Sequence, residues 1–409
     1  MITLNKDQRK GKKIIQHWYK TQYKQLLEVS GGPGTGKTTM IYDAISSLGL
    51  DMDREVMFMA FMGKATNVMR MNGLGAKTIH SSIYVYEREY MYNGDGTPMR
   101  DYKGRIMSKP VFNLVGYLPK RIKLIVVDEA GMVPDQMLDD ILSFDIPVIA
   151  VGDKDQLPPV FGSSRLFKKP DVVLKEIMRQ AKGSPIIELA AAIRDGRPLY
   201  EGKWGPGCYV VDESYMTKKS MFKKADIIIC GKNKTKEKMN TFIREKIYKR
   251  VSEFPCVGDK MVCRKNNWNL EIDGFPLTNG TFGTITYIDK SSFNMKSINI
   301  DFMPDYLDDC FYDLPMDINY LFSSPEARAE KAFFGNGNLF EYAYATTCQL
   351  SQGSQYDNVI IIEEKTGGSD FHRRWLYTAV TRAKKQVILI RPTKESIKPK
   401  KLFKRVVRS

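Results

Sequence analysis

The chain has 409 residues, with 63 lysines and arginines against 47 aspartates and glutamates, which gives a formal net charge of +16. This length predicts two or three domains, and the positive excess favours a polyanionic partner such as nucleic acid. The six cysteines form no Cys-x-x-Cys pair and the three histidines are scattered, which argues against a zinc site or a disulfide framework. No segment has the pattern of a signal peptide or a transmembrane helix, and we expect a cytoplasmic protein.

Short apolar segments alternate with amphipathic ones in the first part of the chain. Buried strands separated by helices are typical of a doubly wound α/β domain with a parallel sheet. The helices are predicted to begin after Gly36, near Lys64 and near Pro134, and the strands to occupy 26–30, 56–61, 124–130 and 146–151.

Residues 83–108 interrupt this alternation. Aromatic and β-branched residues flank the sequence Asn93-Gly94-Asp95-Gly96, which is a signal for a β-hairpin.

The second half of the chain predicts another α/β domain, with buried strands at 226–231, 358–363 and 386–391. From about residue 255 to residue 310, glycine-punctuated alternating strands predict a small β-barrel inserted into that domain. The basic tail at 398–409 is either a strip that contacts phosphates or a solvated chain end.

A phosphate-binding loop follows the first predicted strand. The sequence GGPGTGKT at 31–38 fits G-x-x-x-x-G-K-[ST] between a strand and a helix, the context that this motif requires. Glycine N–H groups approach the phosphates, Lys37 reaches the β and γ oxygens, and the Thr38 hydroxyl binds Mg²⁺. The candidate contacts to a nucleoside triphosphate are Gly31, Gly32, Pro33, Gly34, Thr35, Gly36, Lys37, Thr38 and Thr39.

Two further stretches predict the rest of a hydrolytic site. In LIVVDEAG, Asp128 is a candidate magnesium ligand and Glu129 a candidate group to polarise the attacking water. In VGDKDQLPPV, Pro158 and Pro159 fix the backbone after Gln156. Because neighbouring strand ends face one crevice in such a sheet, Gln156 is a candidate sensor of the γ-phosphate or of the water.

The order of these motifs resembles the superfamily-one (1B) helicases, and within them the RecD/Dda branch, including the phage Dda-like enzymes. The resemblance spans nearly the whole chain. Its motifs are LNKDQ (4–8), GGPGTGKT (31–38), FMGKATNVM (61–69), KTIHSSIY (77–84), VVDEAGM (126–132), VGDKDQLPPV (151–160), EIMRQ (176–180), YATTCQLSQGSQYD (344–357) and LYTAVTRAKK (376–385).

The resemblance implies further nucleotide contacts. Gln8 matches the family's adenine-reading glutamine, and Arg179 and Arg382 match its two arginines directed at the γ-phosphate. Gly353 and Gln355 are implied near the phosphate and the sugar.

One departure from the family pattern concerns the coupling of nucleotide to strand. Gln349 and Leu350 stand where family members usually carry His-Lys, so coupling through this motif is in doubt.

Contacts to nucleic acid are predicted in both domains. Lys64, Thr78 and His80 are candidates in the first domain, although His80 suits a packed core position equally well. Thr347 and Trp268 are candidates in the second domain, where Trp268 either stacks on a base or packs in a core.

The hairpin at 83–108 occupies the place where this branch carries a strand-separating pin. Tyr90 and Tyr92 near its tip are candidates to block the complementary strand.

We therefore expect an α/β protein with two RecA-like domains, a hairpin insertion and a small SH3-like barrel. The expected function is ATP- and Mg²⁺-dependent 5′→3′ translocation on single-stranded DNA and duplex unwinding by a monomer, in replication, recombination or repair. Expected partners are single-stranded and tailed duplex DNA, with a single-strand-binding or replisome protein as a further candidate.

The alternatives are a translocase that mainly displaces bound proteins, a nucleotide-switched binding subunit, and an RNA helicase. The expected boundaries are 1–175 for the first domain, 176–254 with 335–409 for the second, and 255–334 for the barrel.

Overall fold

The computed structural model describes residues 4–392 apart from gaps at 101–103, 105, 107, 160–161, 177, 179–182, 293–295 and 335–336. The chain divides into two compact units. The first unit contains Met1–Lys182, Lys249–Tyr344 and Gln349–Ser354, and the second contains Gly183–Tyr248, Ala345–Cys348 and Gln355–Ser409. Among the described residues, no helix is both long and apolar enough to cross a membrane.

A six-stranded parallel sheet organises the first part of the chain, in the order β3-β2-β6-β7-β1-β8. The elements are α1 (Lys6–Thr21), β1 (Leu26–Gly31), α2 (Lys37–Ser46), β2 (Val56–Ala60), α3 (Gly63–Met71), β3 (Lys77–Thr78), α4 (Ile79–Ile83), β4 (Tyr84–Tyr90), β5 (Ser108–Leu114), β6 (Leu124–Asp128), α5 (Asp135–Leu142), β7 (Val148–Gly152) and β8 (Val172–Leu174).

The strands of this sheet are apolar because both of its faces are buried. Along β6, Leu124 and Val126 belong to one core, whereas Ile125 and Val127 belong to a second core on the opposite face. The prediction of an α/β fold with a parallel sheet is confirmed.

Strands β4 and β5 form an antiparallel hairpin in which Tyr84 pairs with Leu114 and Tyr90 with Ser108. The second strand therefore extends beyond the predicted end at residue 108. Between the two strands, a tight turn is closed by hydrogen bonds from the Asn93 N–H to the Thr97 carbonyl (2.8 Å) and from the Gly96 N–H to the Asn93 carbonyl (3.0 Å).

The remaining elements lie between residues 185 and 391. In chain order they are α6 (Pro185–Arg194), β9 (Gly202–Gly205), β10 (Cys208–Asp212), α7 (Lys219–Lys224), β11 (Ile227–Cys230), α8 (Asn233–Phe242), β12 (Lys260–Cys263), β13 (Asn267–Ile272), β14 (Phe275–Leu277), β15 (Phe282–Asp289), β16 (Ser297–Pro304), β17 (Phe311–Asp317), α9 (Ile318–Leu321), α10 (Pro325–Phe334), β18 (Phe340–Tyr342), β19 (Ala345–Thr347), β20 (Tyr356–Ile362), α11 (Ser369–Val380) and β21 (Ala383–Arg391).

The second unit is built on a sheet in the order β19-β11-β20-β21-β10-β9. Its strands pair in parallel except β9, which is an antiparallel edge strand. The chain leaves this sheet after β11 and returns to it at β19.

Between those two points, five strands form an antiparallel sheet in the order β17-β16-β15-β12-β18. Its first strand, β12, pairs with its last strand, β18, which lies beyond the predicted boundary at residue 334. The SH3-like barrel and the domain boundaries stay predictions.

A buried carboxylate lies where the chain enters and leaves this antiparallel sheet. Asp259 is fully buried and accepts hydrogen bonds from the Cys256 N–H (2.7 Å), the Tyr344 hydroxyl (2.7 Å) and the Arg250 guanidinium. Since Arg250 precedes the first strand and Tyr344 follows the last one, a single side chain ties the entry to the exit.

Candidate nucleotide and strand site

The phosphate loop joins β1 to α2. Gly34 and Gly36 have φ values of 73° and 72°, a left-handed conformation that glycine adopts without strain. The Lys37 ammonium donates to the carbonyl oxygens of Gly31 (2.6 Å) and Gly32 (3.4 Å). The lysine thus folds back over its own loop, where the oxygens of a bound phosphate would replace the carbonyls as acceptors.

Asp128 ends β6, and Glu129 follows it in a left-handed conformation with φ 49°. Asp128 Oδ1 accepts a hydrogen bond from the Glu129 N–H at 2.8 Å. Burial, with the Glu129 charge as a smaller cause, raises the pKa of Asp128 to about 6, and the Lys37 charge opposes this rise. Asp128 is half-buried, and the Lys37 charge favours its ionised form.

Thr38 and Asp128 line the same small cavity beside β2, β6 and β7. A hydroxyl and a carboxylate are oxygen ligands of the kind that Mg²⁺ takes. The residues therefore fit a magnesium ion, and Thr38 and Asp128 would hold it.

The Gln156 loop follows β7, which lies between β6 and β1 in the sheet. The Lys154 N–H donates to the Ser30 hydroxyl at the end of β1 (3.1 Å), and the Gln156 N–H donates to the Asp153 carbonyl (3.2 Å). Leu157 is buried. This backbone is thus anchored beside the strand that begins the phosphate loop, while the role of the Gln156 side chain stays a prediction.

Gln8 is fully buried at the start of α1. Its Oε1 accepts from the Asn5 N–H (2.9 Å), and its Nε2 donates to the carbonyls of Thr35 (3.0 Å) and Gly36 (3.3 Å). Gln8 therefore holds the phosphate loop against the first helix. Sequence reasoning missed this role, although Asn5 and Gln8 have the spacing of a capping box.

Arg179 and Arg382 are the two arginines that are predicted to contact the γ-phosphate. Arg179 lies outside the described residues. Arg382 follows α11 and is buried, and its guanidinium donates from Nε to the Thr378 carbonyl (3.1 Å) and from Nη2 to the Thr381 hydroxyl (3.2 Å). In this state Arg382 is bonded to its own helix, and its contact with a nucleotide stays a prediction.

The Ser-Gln-Gly motif, residues 351–353, lies in the first unit, and Gln355 begins the next segment of the second. Gly353, with φ 74°, packs against Ala65, where an added Cβ would lie 3.4 Å from the alanine side chain. Gln355 is exposed, and Gln349 and Leu350 are half-buried. The predicted contacts of Gly353 and Gln355 with the nucleotide stay predictions.

The predicted strand contacts of the first unit also have local partners. The Lys64 ammonium lies 4.1 Å from the centre of the Phe282 ring, a cation–π contact. Thr78 caps α4 by accepting the Ser81 N–H. His80 packs against Phe112 at 5.3 Å between ring centres, and burial lowers its pKa. His80 is half-buried, and its contact with nucleic acid stays a prediction.

The remaining candidates lie on the hairpin and on the strands β13 and β19. Tyr90 and Tyr92 on the hairpin are 58% and 59% exposed, which leaves their rings accessible to a base. Thr347 ends β19 beside Cys230 of β11. Trp268 belongs to β13, and its side chain lies outside the described residues.

At the carboxyl edge of the second sheet, Glu364 has a structural role that the sequence did not predict. Glu364 follows β20 and accepts hydrogen bonds from the N–H groups of Gly231 (2.8 Å) and Lys232 (3.0 Å) and from the Thr235 hydroxyl (2.7 Å). This carboxylate therefore fixes the turn from β11 into α8 next to Thr347. A lone glutamate after a strand gives no sequence signal for such a role.

Two family models match the chain. One, described as an AAA domain, matches residues 3–204, and the other, described as a UvrD-like helicase C-terminal domain, matches residues 342–390.

Among curated proteins, the ATP-dependent RecD2 DNA helicase of Deinococcus radiodurans is 30% identical over 183 residues, which cover 42% of this chain and 22% of that protein. The ATP-dependent DNA helicase dda of Enterobacteria phage T4 is 25% identical over 284 residues, which cover 62% of this chain and 60% of that protein. The chain thus spans less than two thirds of the length of either relative.

Among solved structures, Bacteroides Pif1 bound to single-stranded DNA is similar with a TM-score of 0.52 and 18% identity, covering 98% of this chain and 95% of that one. The Pif1 helicase of Candida albicans has a TM-score of 0.52 and 16% identity, covering 98% and 97%. At these identities the likeness is one of fold.

Proposed function

Because the chain belongs to the superfamily-one helicases of the RecD/Dda branch, we propose that it is an ATP-dependent DNA helicase. The observation that carries this proposal is the meeting of the phosphate loop, Asp128 and the Gln156 loop at the ends of the neighbouring strands β1, β6 and β7. This edge of a parallel sheet is where open α/β folds bind ligands.

The chemistry assigns a role to each side chain. Lys37 exchanges its carbonyl partners for the β and γ oxygens of ATP, and Glu129 orients and polarises the attacking water. A magnesium ion held by Thr38 and Asp128 would neutralise charge on the phosphates. The Gln156 side chain contacts the γ-phosphate or the attacking water, and its loop changes position with the state of the nucleotide.

Nucleotide hydrolysis is coupled to strand movement through contacts in both units. We assign the strand contacts to Lys64, Thr78 and His80 in the first unit and to Thr347 in the second. Arg179 and Arg382 add positive charge at the γ-phosphate, a contribution worth about 10³–10⁵ in rate in related phosphoryl-transfer enzymes.

We further propose that the substrate is DNA and that translocation runs 5′→3′. Both parts rest on the resemblance to the RecD/Dda branch. A fold neighbour, Bacteroides Pif1, was solved with single-stranded DNA, and the net charge of +16 suits a phosphate backbone. Tyr90 and Tyr92 are exposed on a hairpin, as a strand-separating pin requires.

The test is a strand-displacement assay on duplexes that carry either a 5′ or a 3′ single-stranded tail. We expect ATP-dependent opening of the 5′-tailed duplex, and no opening by Lys37→Ala, which should still bind the strand. Opening of only the 3′-tailed duplex would refute the polarity and leave the ATPase assignment standing. ATPase stimulation by RNA equal to that by DNA would refute the choice of substrate, and wild-type turnover by Lys37→Ala would refute the hydrolytic site.

A further inference from the structure

The second sheet carries a cavity of about 270 Å³ on one of its faces. Its floor is formed by residues of β10, β20 and β21, and its wall by α7 and the turn before it. The lining residues used below are Tyr215, Lys218, Lys224, Ile360, Gln386 and Ile388.

The cavity combines an apolar floor with a cationic rim. Ile360 and Ile388 contribute aliphatic surface, whereas Lys218 and Lys224 are exposed at the wall. The Lys218 ammonium lies 3.6 Å from the centre of the Tyr215 ring. Two further exposed lysines, at positions 219 and 223, lie on α7, so this short helix adds positive charge beside the apolar surface.

No residue that is assigned to the proposed machinery lines the cavity. Asn358 of β20 and Gln386 of β21 line it from nearer the amino ends of their strands. Thr347 and Glu364 lie at or beyond the carboxyl ends of β19 and β20, the edge where nucleotides and their coupled ligands are bound in such sheets. Arg382, which precedes β21, bonds to Thr378 and Thr381, and none of these three residues lines the cavity. The ATPase and strand-binding roles proposed above therefore leave the cavity unexplained.

We propose that this cavity is the docking site for an acidic peptide segment of a partner protein, which inserts one large apolar side chain between α7 and the sheet. A volume of 270 Å³ is below the roughly 300–1,000 Å³ of drug-sized ligand pockets and suits one aromatic or aliphatic side chain. The lysine rim is complementary to carboxylates on either side of that residue.

Two other occupants fit less well. Residues 393–409 of this chain carry seven lysines and arginines against one glutamate, so the lysine rim repels them. Nucleic acid would satisfy the lysines, but the floor residues Ile360 and Ile388 are aliphatic, whereas bases stack on aromatic side chains. The inference does not depend on the proposed helicase activity.

The test measures binding of a fluorescein-labelled peptide, Gly-Ser-Asp-Asp-Glu-Asp-Leu-Phe, to the full chain by fluorescence anisotropy. We expect saturable binding that weakens with salt, and at least about tenfold weaker binding by the peptide with Ala in place of Leu and Phe. The double variant Lys218→Glu/Lys224→Glu and the floor variant Ile388→Gln should each lower affinity at least about tenfold. The matched control Lys234→Glu/Lys238→Glu changes two exposed lysines of α8 and should bind like the wild type.

Thermal unfolding and DNA-stimulated ATPase verify that each variant is folded, and both should be unchanged in Lys218→Glu/Lys224→Glu. No binding at a peptide concentration of about 1 mM, or equal binding of the peptide without Leu and Phe, would overturn the proposal. Loss of DNA-stimulated ATPase in the folded double variant would assign these lysines to the nucleic acid instead and would equally overturn it.

Discussion

Replacing Asp128 by asparagine should remove hydrolysis and yet stabilise the nucleotide-free protein. The pKa of Asp128 rises from its ordinary value of 3.8 to about 6, mainly because the carboxylate is desolvated. A carboxyl group with a raised pKa in the folded protein lowers the free energy of unfolding at every pH where it is ionised in the folded state. Asparagine keeps the shape of the side chain and removes that charge.

The size of the effect follows from linkage. A pKa unit corresponds to about 1.36 kcal/mol, so ionised Asp128 destabilises the fold by up to about 3 kcal/mol at about pH 8, where the effect is complete. At about pH 5 the folded carboxyl is mostly protonated, and the same relation gives about 1.5 kcal/mol. These values are upper bounds because Asp128 keeps some solvent-exposed surface.

The assay is calorimetric unfolding without nucleotide or magnesium at both pH values. The transition of the nucleotide-binding unit is recognised in the wild type by its shift on addition of ATP. We expect Asp128→Asn to raise that transition more at about pH 8 than at about pH 5. Destabilisation by Asp128→Asn at about pH 8, or an equal gain at both pH values, would refute the reasoning.

A matched control of opposite sign is available in the same unit. Hydrogen bonds from the Ser163 hydroxyl and from the Arg165 N–H lower the pKa of Asp135, so its ionised form stabilises the fold. That stability is complete above the ordinary pKa and is lost only as the pH falls through the lowered one. Asp135→Asn should therefore destabilise the protein equally at about pH 5 and about pH 8.

Three further outcomes are expected. Gln156→Ala should lower hydrolysis and unwinding far more than ATP affinity, measured by turnover and equilibrium nucleotide binding; equal losses would indicate a structural role for the loop. Gln8→Ala should lower the free energy of unfolding by about 1–3 kcal/mol, because it removes buried hydrogen bonds to the phosphate loop; unchanged thermal unfolding would contradict that role. Shortening the turn at 93–96 and replacing Tyr90 and Tyr92 by alanine should abolish duplex unwinding but spare DNA-stimulated ATPase and salt-dependent strand binding; normal unwinding would show that this hairpin is not the pin.

The sequence predicted four parallel strands of the first sheet, β1, β2, β6 and β7, and three of the second, β11, β20 and β21, because their apolar runs are continuous, as burial on two faces requires. It did not predict the parallel strands β3, β8, β10 and β19. The short strand β18 was missed because three residues carry no periodicity, and only its pairing with β12 defines it. The end of β5 was also missed, because its last residue, Leu114, is defined only by its pairing with Tyr84 on the other strand of the hairpin.

In the candidate site, too, the sequence predicted the residues that belong to local motifs and missed the contacts between residues distant in sequence. Loop motifs such as GGPGTGKT specify chemistry through local spacing, so Lys37 and Asp128 could be named from the sequence alone. The burial of Gln8 and the ring contacts of Lys64 and His80 depend on residues distant in sequence, which spacing does not reveal.

The pairing of β12 with β18, and the tie of Arg250 and Tyr344 to Asp259, have a consequence for how this chain can change. The chain segment from β12 to β18 is an excursion that begins and ends on paired, neighbouring strands. Such a segment can gain or lose residues in its middle without changing the distance between its two ends. The connection at 305–310, between β16 and β17, is therefore a place where an insertion should cost little stability. Substitution of Asp259, by contrast, would loosen both ends of the excursion at once.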